Sequence, residues 1–341
     1  MANSVSGRKG SVTLSASQKQ LIGYLLGLLA HLAFCSQNYF TKKVRNNLSS
    51  GQVQYFVFLQ LGVYSYFIAP CRNAPVVYKN PKATVLLIFR SLLGMFNTYL
   101  VFYSLKLIPL SESTVISMIS PVITAALSTF FFSEKFERVI TINAILSIIG
   151  VILIAKPAFL FGGVVSAQLE GSVGERTLGI ILCVSTATIG SFIQILIKKC
   201  GALAQPLSMT FYFGILSAFI IPLTSIFEAD FRALTLGDMF HLLFAGCFGV
   251  LAHVSLSMAY TYGEAGKIAL LMYSQIIFAF MYEIIIDNRK PDDYSIMGTG
   301  FILVGFFVLV VKTMRKQAAT PAPVIHLKQV ENEKPLIDLK A

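Results

Sequence analysis

The stretch Gln20–Lys43, QLIGYLLGLLAHLAFCSQNYFTKK, is answered 156 residues later by Arg176–Lys199, RTLGIILCVSTATIGSFIQILIKK. Each is a run of about 20 largely apolar residues closed by two lysines, which at 1.5 Å per residue spans a bilayer core of about 30 Å. The same offset carries Lys156, at the end of a later run, onto Lys312. Between these markers the order of apolar segments and short polar connections matches. An internal duplication of membrane-length segments is a signature of secondary transporters, whose related halves rock around a shared site.

Composition agrees with a membrane setting. Apolar residues make up 55% of the chain and charged residues 13%, and the mean hydropathy is +0.73. Soluble domains carry roughly twice that charged share. Runs of membrane length fall at about 20–41, 53–71, 83–104, 112–132, 138–156, 177–198, 207–227, 239–260, 265–286 and 295–313. Short alternating strands of the barrel type are absent from the pattern. The predicted fold is therefore an all-α membrane protein of ten transmembrane helices. Five per half is an odd number, so the second half enters from the opposite side, giving two inverted five-helix repeats.

The predicted organisation is a cytosolic N-terminal segment (1–19), a first repeat (20–156), a linker rich in Gly, Ser and Val (157–176), a second repeat (177–313) and a disordered cytosolic tail (314–341). The first run is too long for a signal-peptide core and lacks a small-x-small cleavage site, so it reads as helix one. Cys35, Cys71, Cys183, Cys200 and Cys247 are an odd, scattered set without metal-ligand spacing, read as small buried hydrophobes. The net charge of +11 arises from basic residues at segment ends, so no nucleic-acid partner is expected. With both termini cytosolic, fourteen Lys and Arg fall inside and nine outside, the cluster Lys42–Arg45 running against the trend. Asn47-Leu48-Ser49 is a glycosylation sequon in the first connection, close to the membrane.

Several strings carry a family resemblance. Arg90-Ser-Leu-Leu-Gly94 opens helix three, Ser120-Pro121 interrupts helix four, and Ser133-Glu134-Lys135 follows it. Gly150-Val-Ile-Leu-Ile-Ala-Lys-Pro157 closes the half. As a set they resemble the EamA-type branch of the drug/metabolite transporter superfamily, closest to the G branch of solute carrier family 35, over about residues 20–313. In the second half Asp287-Asn288 stands where Glu134 stands in the first, and Gln275 falls near the place of Pro121. The resemblance implies a ten-helix secondary transporter of small metabolites, with organic anions such as citrate among the solutes linked to that branch.

Coupling to ATP is excluded on sequence grounds. The nearest approach to a phosphate loop, Gly266-Lys267, is followed by Ile268, and position 261 is a threonine. Gradients must then drive the solute, with no cofactor and no metal. Polar residues inside the apolar runs are costly unless they face a cavity or a partner. Asn38 shares a face with His31 and Gly27 on helix one, as do Arg90, Gly94 and Asn97 on helix three. Arg90 lies about seven residues, roughly 10 Å, inside its run. Gln194 on helix six, His253 and Tyr260 on helix eight, and Lys267 and Glu283 on helix nine complete the set. Substrate contacts are assigned to Arg90, Asn97, Lys267, His253, Tyr260, Gln194 and Asn38, and proton coupling to His31, His253 and Glu283. The stripe Ser113, Ser117, Ser120, Thr124, Ser128 reads as close helix packing, and Glu134 as a cap or ion pair.

Fixed cations (Arg90, Lys267, Lys198) outnumber the one intramembrane carboxylate, Glu283, which favours an anionic small-molecule substrate. No serine–histidine or paired-aspartate arrangement supports an enzyme. The rival reading is a non-transporting membrane adaptor that regulates a partner through its tail or loops. The lipid bilayer of the plasma membrane or of the endomembranes (ER or Golgi) is the setting, with a homodimer left open as an assembly.

Overall fold

A computed structural model describes residues 16–44, 47–72, 74–75, 78, 80–108, 110–155, 160, 173–225, 232–286 and 293–319. Among them every regular element is helical: α1 (Ala16–Val44), α2 (Ser50–Ile68), α3 (Pro81–Leu107), α4 (Leu110–Ser117), α5 (Ser120–Phe132), α6 (Arg138–Ala155), α7 (Val173–Gly201), α8 (Pro206–Ser225), α9 (Leu236–Tyr262), α10 (Ala265–Leu270), α11 (Ser274–Ile285) and α12 (Asp293–Ala319). Six stretches are long and apolar enough to cross a membrane: Gln18–Val44, Pro81–Leu107, Ser113–Phe132, Gly174–Gly201, Leu236–Tyr262 and Ala265–Tyr282. Arg138–Ile154, Pro206–Ile221 and Asp293–Leu309 are shorter apolar helices.

Helix starts follow local chemistry. Asn80 accepts from the Lys82 N–H ahead of Pro81, whose missing N–H costs nothing at that position. Ser49 with Gln52, and Thr235 with Asp238, form reciprocal capping boxes at α2 and α9. Ser133 ends α5 in the left-handed region at φ 53°.

Two runs that the sequence presents as continuous are broken. Met118-Ile119 separates α4 from α5, because Pro121 cannot donate to the preceding turn. A 3₁₀ turn at Leu271–Tyr273 separates α10 from α11 at the corresponding place in the second half. The Tyr273 hydroxyl donates to the Met118 carbonyl at 2.9 Å, so one break satisfies a carbonyl at the other.

Helices pair across the halves: α1 with α9, α3 with α7, α2 with α8, and α6 with α12. Where α2 meets α8, a Cβ on Gly214 would stand 2.9 Å from the Gly62 Cα, so only glycine allows the backbones to approach this closely. One buried cluster centres on Tyr260, Ile268, Tyr273 and Ile302, and a second on Leu61, Phe213 and Leu242. The last helix runs to Ala319, beyond the boundary at 313 expected from hydropathy. Most of the linker (157–176), residues 1–15, Asp287-Asn288 and the tail from 320 lie outside the described residues.

Candidate functional site

Arg90 lies nine positions into α3, about 13 Å from its start and deeper than the hydropathy boundary implied. It is 4% exposed. Its guanidinium carbon sits 4.5 Å from the ring centroid of Phe213 on α8, an arrangement that stabilises a desolvated cation. Gly94, one turn along α3, makes room for that ring, since a Cβ there would stand 2.9 Å from Phe213 Cε2. His253 of α9 lies 5.3 Å from the Phe213 ring. Phe34 of α1 meets His253 edge-on at 5.0 Å, and His31 follows one turn away. A chain of ring contacts thus runs from the Arg90 guanidinium through Phe213 and His253 to Phe34, across four helices from both halves.

The polar atoms here are short of partners. Nε and Nη1 of Arg90, both ring nitrogens of His31 and Oδ1 of Asn97 are buried without a hydrogen bond. Gln275 approaches His31 without a well-formed bond to either nitrogen. Asn97 faces Gly190 of α7, whose Cβ would stand 3.8 Å from Nδ2. Buried polar groups without partners cost about 1–3 kcal/mol each; the two Arg90 N–H groups are suited to a ligand that supplies acceptors, whereas Asn97 Oδ1 takes a donor.

A second group lies nearer the C-terminal end of α9. Gln194 Oε1 accepts from Thr124 Oγ1 at 3.0 Å and from the Tyr260 hydroxyl at 2.5 Å. Ser120 and Ser191 oxygens are 3.1 Å apart. Gln194 and Tyr260 therefore join α5, α7 and α9, and the hydroxyls of the α5 stripe serve packing between halves.

Beyond them lies a cluster of ion pairs. Glu134, just after α5, accepts from the Ala265 N–H at 3.0 Å and the Gly266 N–H at 3.2 Å. Lys198 pairs with Glu134 and donates to the Gly263 carbonyl at 2.8 Å. Lys267 is 3% exposed and pairs with Glu264 at 3.0 Å and Glu137 at 3.4 Å. At the opposite end of α9, Asn47 Nδ2 donates to Asp238 Oδ1 at 3.1 Å. Ser49 of the same sequon is held in its capping box.

The residues singled out in the sequence therefore separate. Arg90, His253 and His31 come together around Phe213 and Phe34, and Asn97 lies further along the Arg90 face of α3. Gln194 and Tyr260 lie in the network toward the ion-pair cluster. Lys267 belongs to an ion-pair cluster at that end, and Lys198 is likewise paired. Asn38 is exposed on α1, beyond His31. The Glu283 side chain lies outside the described residues. Of the cysteines, Cys35, Cys183 and Cys200 are buried as expected, whereas Cys71 and Cys247 are exposed. Phe213 and Phe34 escaped the sequence reading because an aromatic in an apolar run looks the same whether it faces lipid or a site.

The chain matches the EamA-like transporter family twice, over residues 21–156 and 177–311. Solute carrier family 35 member G1 of Homo sapiens is 26% identical over 289 residues, covering 81% of this chain and 75% of its own. A pseudopaline exporter, CntI, of Pseudomonas aeruginosa is 22% identical, covering 84% of this chain and 95% of its own. A solved crystal structure aligns with a TM-score of 0.74 at 16% identity, over 87% of this chain and 99% of its own, which speaks to the fold alone. Both halves carry the family pattern and the helices form one multi-pass membrane bundle: the chain belongs to the EamA-like transporter family.

Proposed function

We propose that the protein is a gradient-driven transporter of small organic anions, with Arg90 at the centre of its substrate site. In this reading the α4–α5 and α10–α11 pairs each make one crossing, giving ten crossings in two inverted repeats with both termini in the cytosol. The helix pairing supports it: exchanging the halves turns α1–α9 into α7–α3 and leaves α2–α8 and α6–α12 unchanged. Solute sites in such folds lie near mid-membrane between the repeats, and Arg90 of the first half packs on Phe213 of the second.

One observation carries the assignment. Among the described residues the buried charged groups are Arg90, Asp238 and Lys267. Asp238 is held by Thr235 and Asn47, and Lys267 by two glutamates. Arg90 has Phe213 on one face and, among the described residues, no carboxylate partner. A substrate carboxylate would supply both the counter-charge and acceptors for the idle N–H groups. Asn97 is then a second contact, His31 and His253 are the titratable groups at hand for proton coupling, and the Glu134–Lys198 cluster is the closed end of the pathway. Alternating access requires that cluster to part. The test is uptake of labelled carboxylates by liposomes with and without a pH gradient. Arg90-dependent accumulation supports the assignment, and absence of uptake across mono-, di- and tricarboxylates rejects it.

A further inference from the structure

A second concentration of positive charge lies where α6 begins and α12 ends. These two helices pack chiefly on each other, and two glycine contacts fix their register. Gly150 meets the Gly298 backbone, and a Cβ on Gly305 would stand 3.3 Å from the Asn143 carbonyl oxygen. The helices are therefore antiparallel, and the same register carried on to Arg138 brings it level with position 310. Lys312 and Arg315 follow about 3 Å and 8 Å further along the axis. Lys135 precedes Arg138 in the connection from α5, and all four side chains are exposed.

The connection holds two carboxylates, Glu134 and Glu137, and these pair with Lys198 and Lys267. Among the described residues no ion pair involves any of the four outer cations. Below the charges both helices turn apolar side chains outward. Arg138 heads the stripe Ile142, Ile145, Ile149 on α6, and Phe301, Val304 and Phe307 are exposed on α12 ahead of Lys312 and Arg315. Charge at one end and exposed hydrocarbon along the span match the two parts of a lipid. A zwitterionic headgroup brings no net charge, whereas an anionic phospholipid supplies the missing counter-charge and phosphate oxygens for the arginine donors. Lys19, Lys82 and Lys199 are also exposed, but they stand one to a helix.

We propose that Lys135, Arg138, Lys312 and Arg315 hold the headgroup of an anionic phospholipid whose chains lie along the outer faces of α6 and α12. The site shares no residue with the Arg90 region. The test is native mass spectrometry of the full-length protein, released from detergent containing equimolar phosphatidylserine and phosphatidylcholine of the same chains. The wild type should retain phosphatidylserine over phosphatidylcholine by about tenfold, since each cation at an anionic surface contributes about fivefold. K135Q/R138Q/K312Q/R315Q should lower that ratio to about threefold or less, and K19Q/K82Q/K199Q should leave it unchanged. All four residues are exposed, so the first variant should elute as the wild type does; if it does not, K135Q/R138Q and K312Q/R315Q are measured separately, and each should reduce the ratio. Glycerophosphoserine and inorganic phosphate should fail to displace the lipid. Displacement by either would make this a free-phosphate site and overturn the lipid assignment. No preference in the wild type, or an equal loss in the control variant, overturns the site. So does a dimer that dissociates in the fourfold variant without any lipid preference, which would make this face the seat of a second copy.

Discussion

At the scale of single residues, Arg90 carries the account. A guanidinium this deep costs several kcal/mol unless it is compensated, and Phe213 supplies only about 2 kcal/mol of that. Arg90→Ala should abolish anion uptake while the protein still reaches the membrane. Arg90→Lys keeps the charge without the paired donors, so its apparent KM should rise by about tenfold or more. If Arg90→Ala instead fails to accumulate as folded protein, the arginine is structural. Gly94→Ala probes the platform: the new Cβ would press on Phe213 at 2.9 Å, and overpacking of this kind costs about 1–3 kcal/mol. Uptake kinetics should show a raised KM with kcat nearly unchanged. Arg90 was legible in the sequence because charge inside an apolar run is rare, and Gly94 and Asn97 because they share its helical face. Its aromatic partners were not, since which phenylalanine turns inward depends on helix packing that hydropathy does not encode. The pairing of Lys198 with Glu134 and of Lys267 with Glu137 was hidden for the same reason, the glutamates lying 64 and 130 positions away, whereas the Lys267–Glu264 pair is local.

At the scale of elements, the Glu134 cluster is the contact that the proposed alternating access must break. Glu134 joins the end of α5 to the start of α10 and, through Lys198, to the end of α7. Removing one member of a fully buried ion pair costs about 3–5 kcal/mol when the other is stranded, and the cost here is smaller because both side chains are partly exposed. Glu134→Gln keeps the size and one acceptor but not the charge, and should shift the population toward opening at this end. A cysteine at Gln194, labelled by an impermeant maleimide from the Lys198 side, should react several-fold faster in the Glu134→Gln background. Equal rates in the two backgrounds would show that the cluster is no barrier. The broken runs were half legible. Pro121 marks the first break, whereas the second has no proline at all and depends on a 3₁₀ turn braced by Tyr273. The last helix outruns its apolar stretch because Lys312–Ala319, though polar at its start, continues the turn without a proline or glycine. A truncation that tests the tail must therefore begin at 320. Deleting 320–341 should leave uptake per unit of membrane-inserted protein unchanged, and its loss would move function to the tail, as the adaptor reading requires.

At the scale of the whole molecule, the duplication in the sequence is matched by two family matches of nearly equal length and by a helix pairing that survives exchange of the halves. The repeat could be read from spaced lysines because each half closes its first run with the same pair. The crossing count is harder to read, since hydropathy and length single out six strong stretches and leave α2 below that standard despite its length. Ten crossings place residue 50 and residue 320 on opposite sides. Ser50→Cys is preferable to a change at Asn47, which holds Asp238, and paired with Thr320→Cys it should label from opposite faces of sealed vesicles. Labelling of both from one face would refute the ten-crossing topology. The central claim is that the halves carry an organic anion past Arg90, and the most direct measurement is counterflow in liposomes. Vesicles containing equal amounts of wild-type or Arg90→Ala protein are loaded with unlabelled carboxylate and given the labelled form outside. The account predicts transient accumulation of label with the wild type and none with Arg90→Ala. Equal accumulation with both proteins, or none with the wild type for any carboxylate offered, would contradict it.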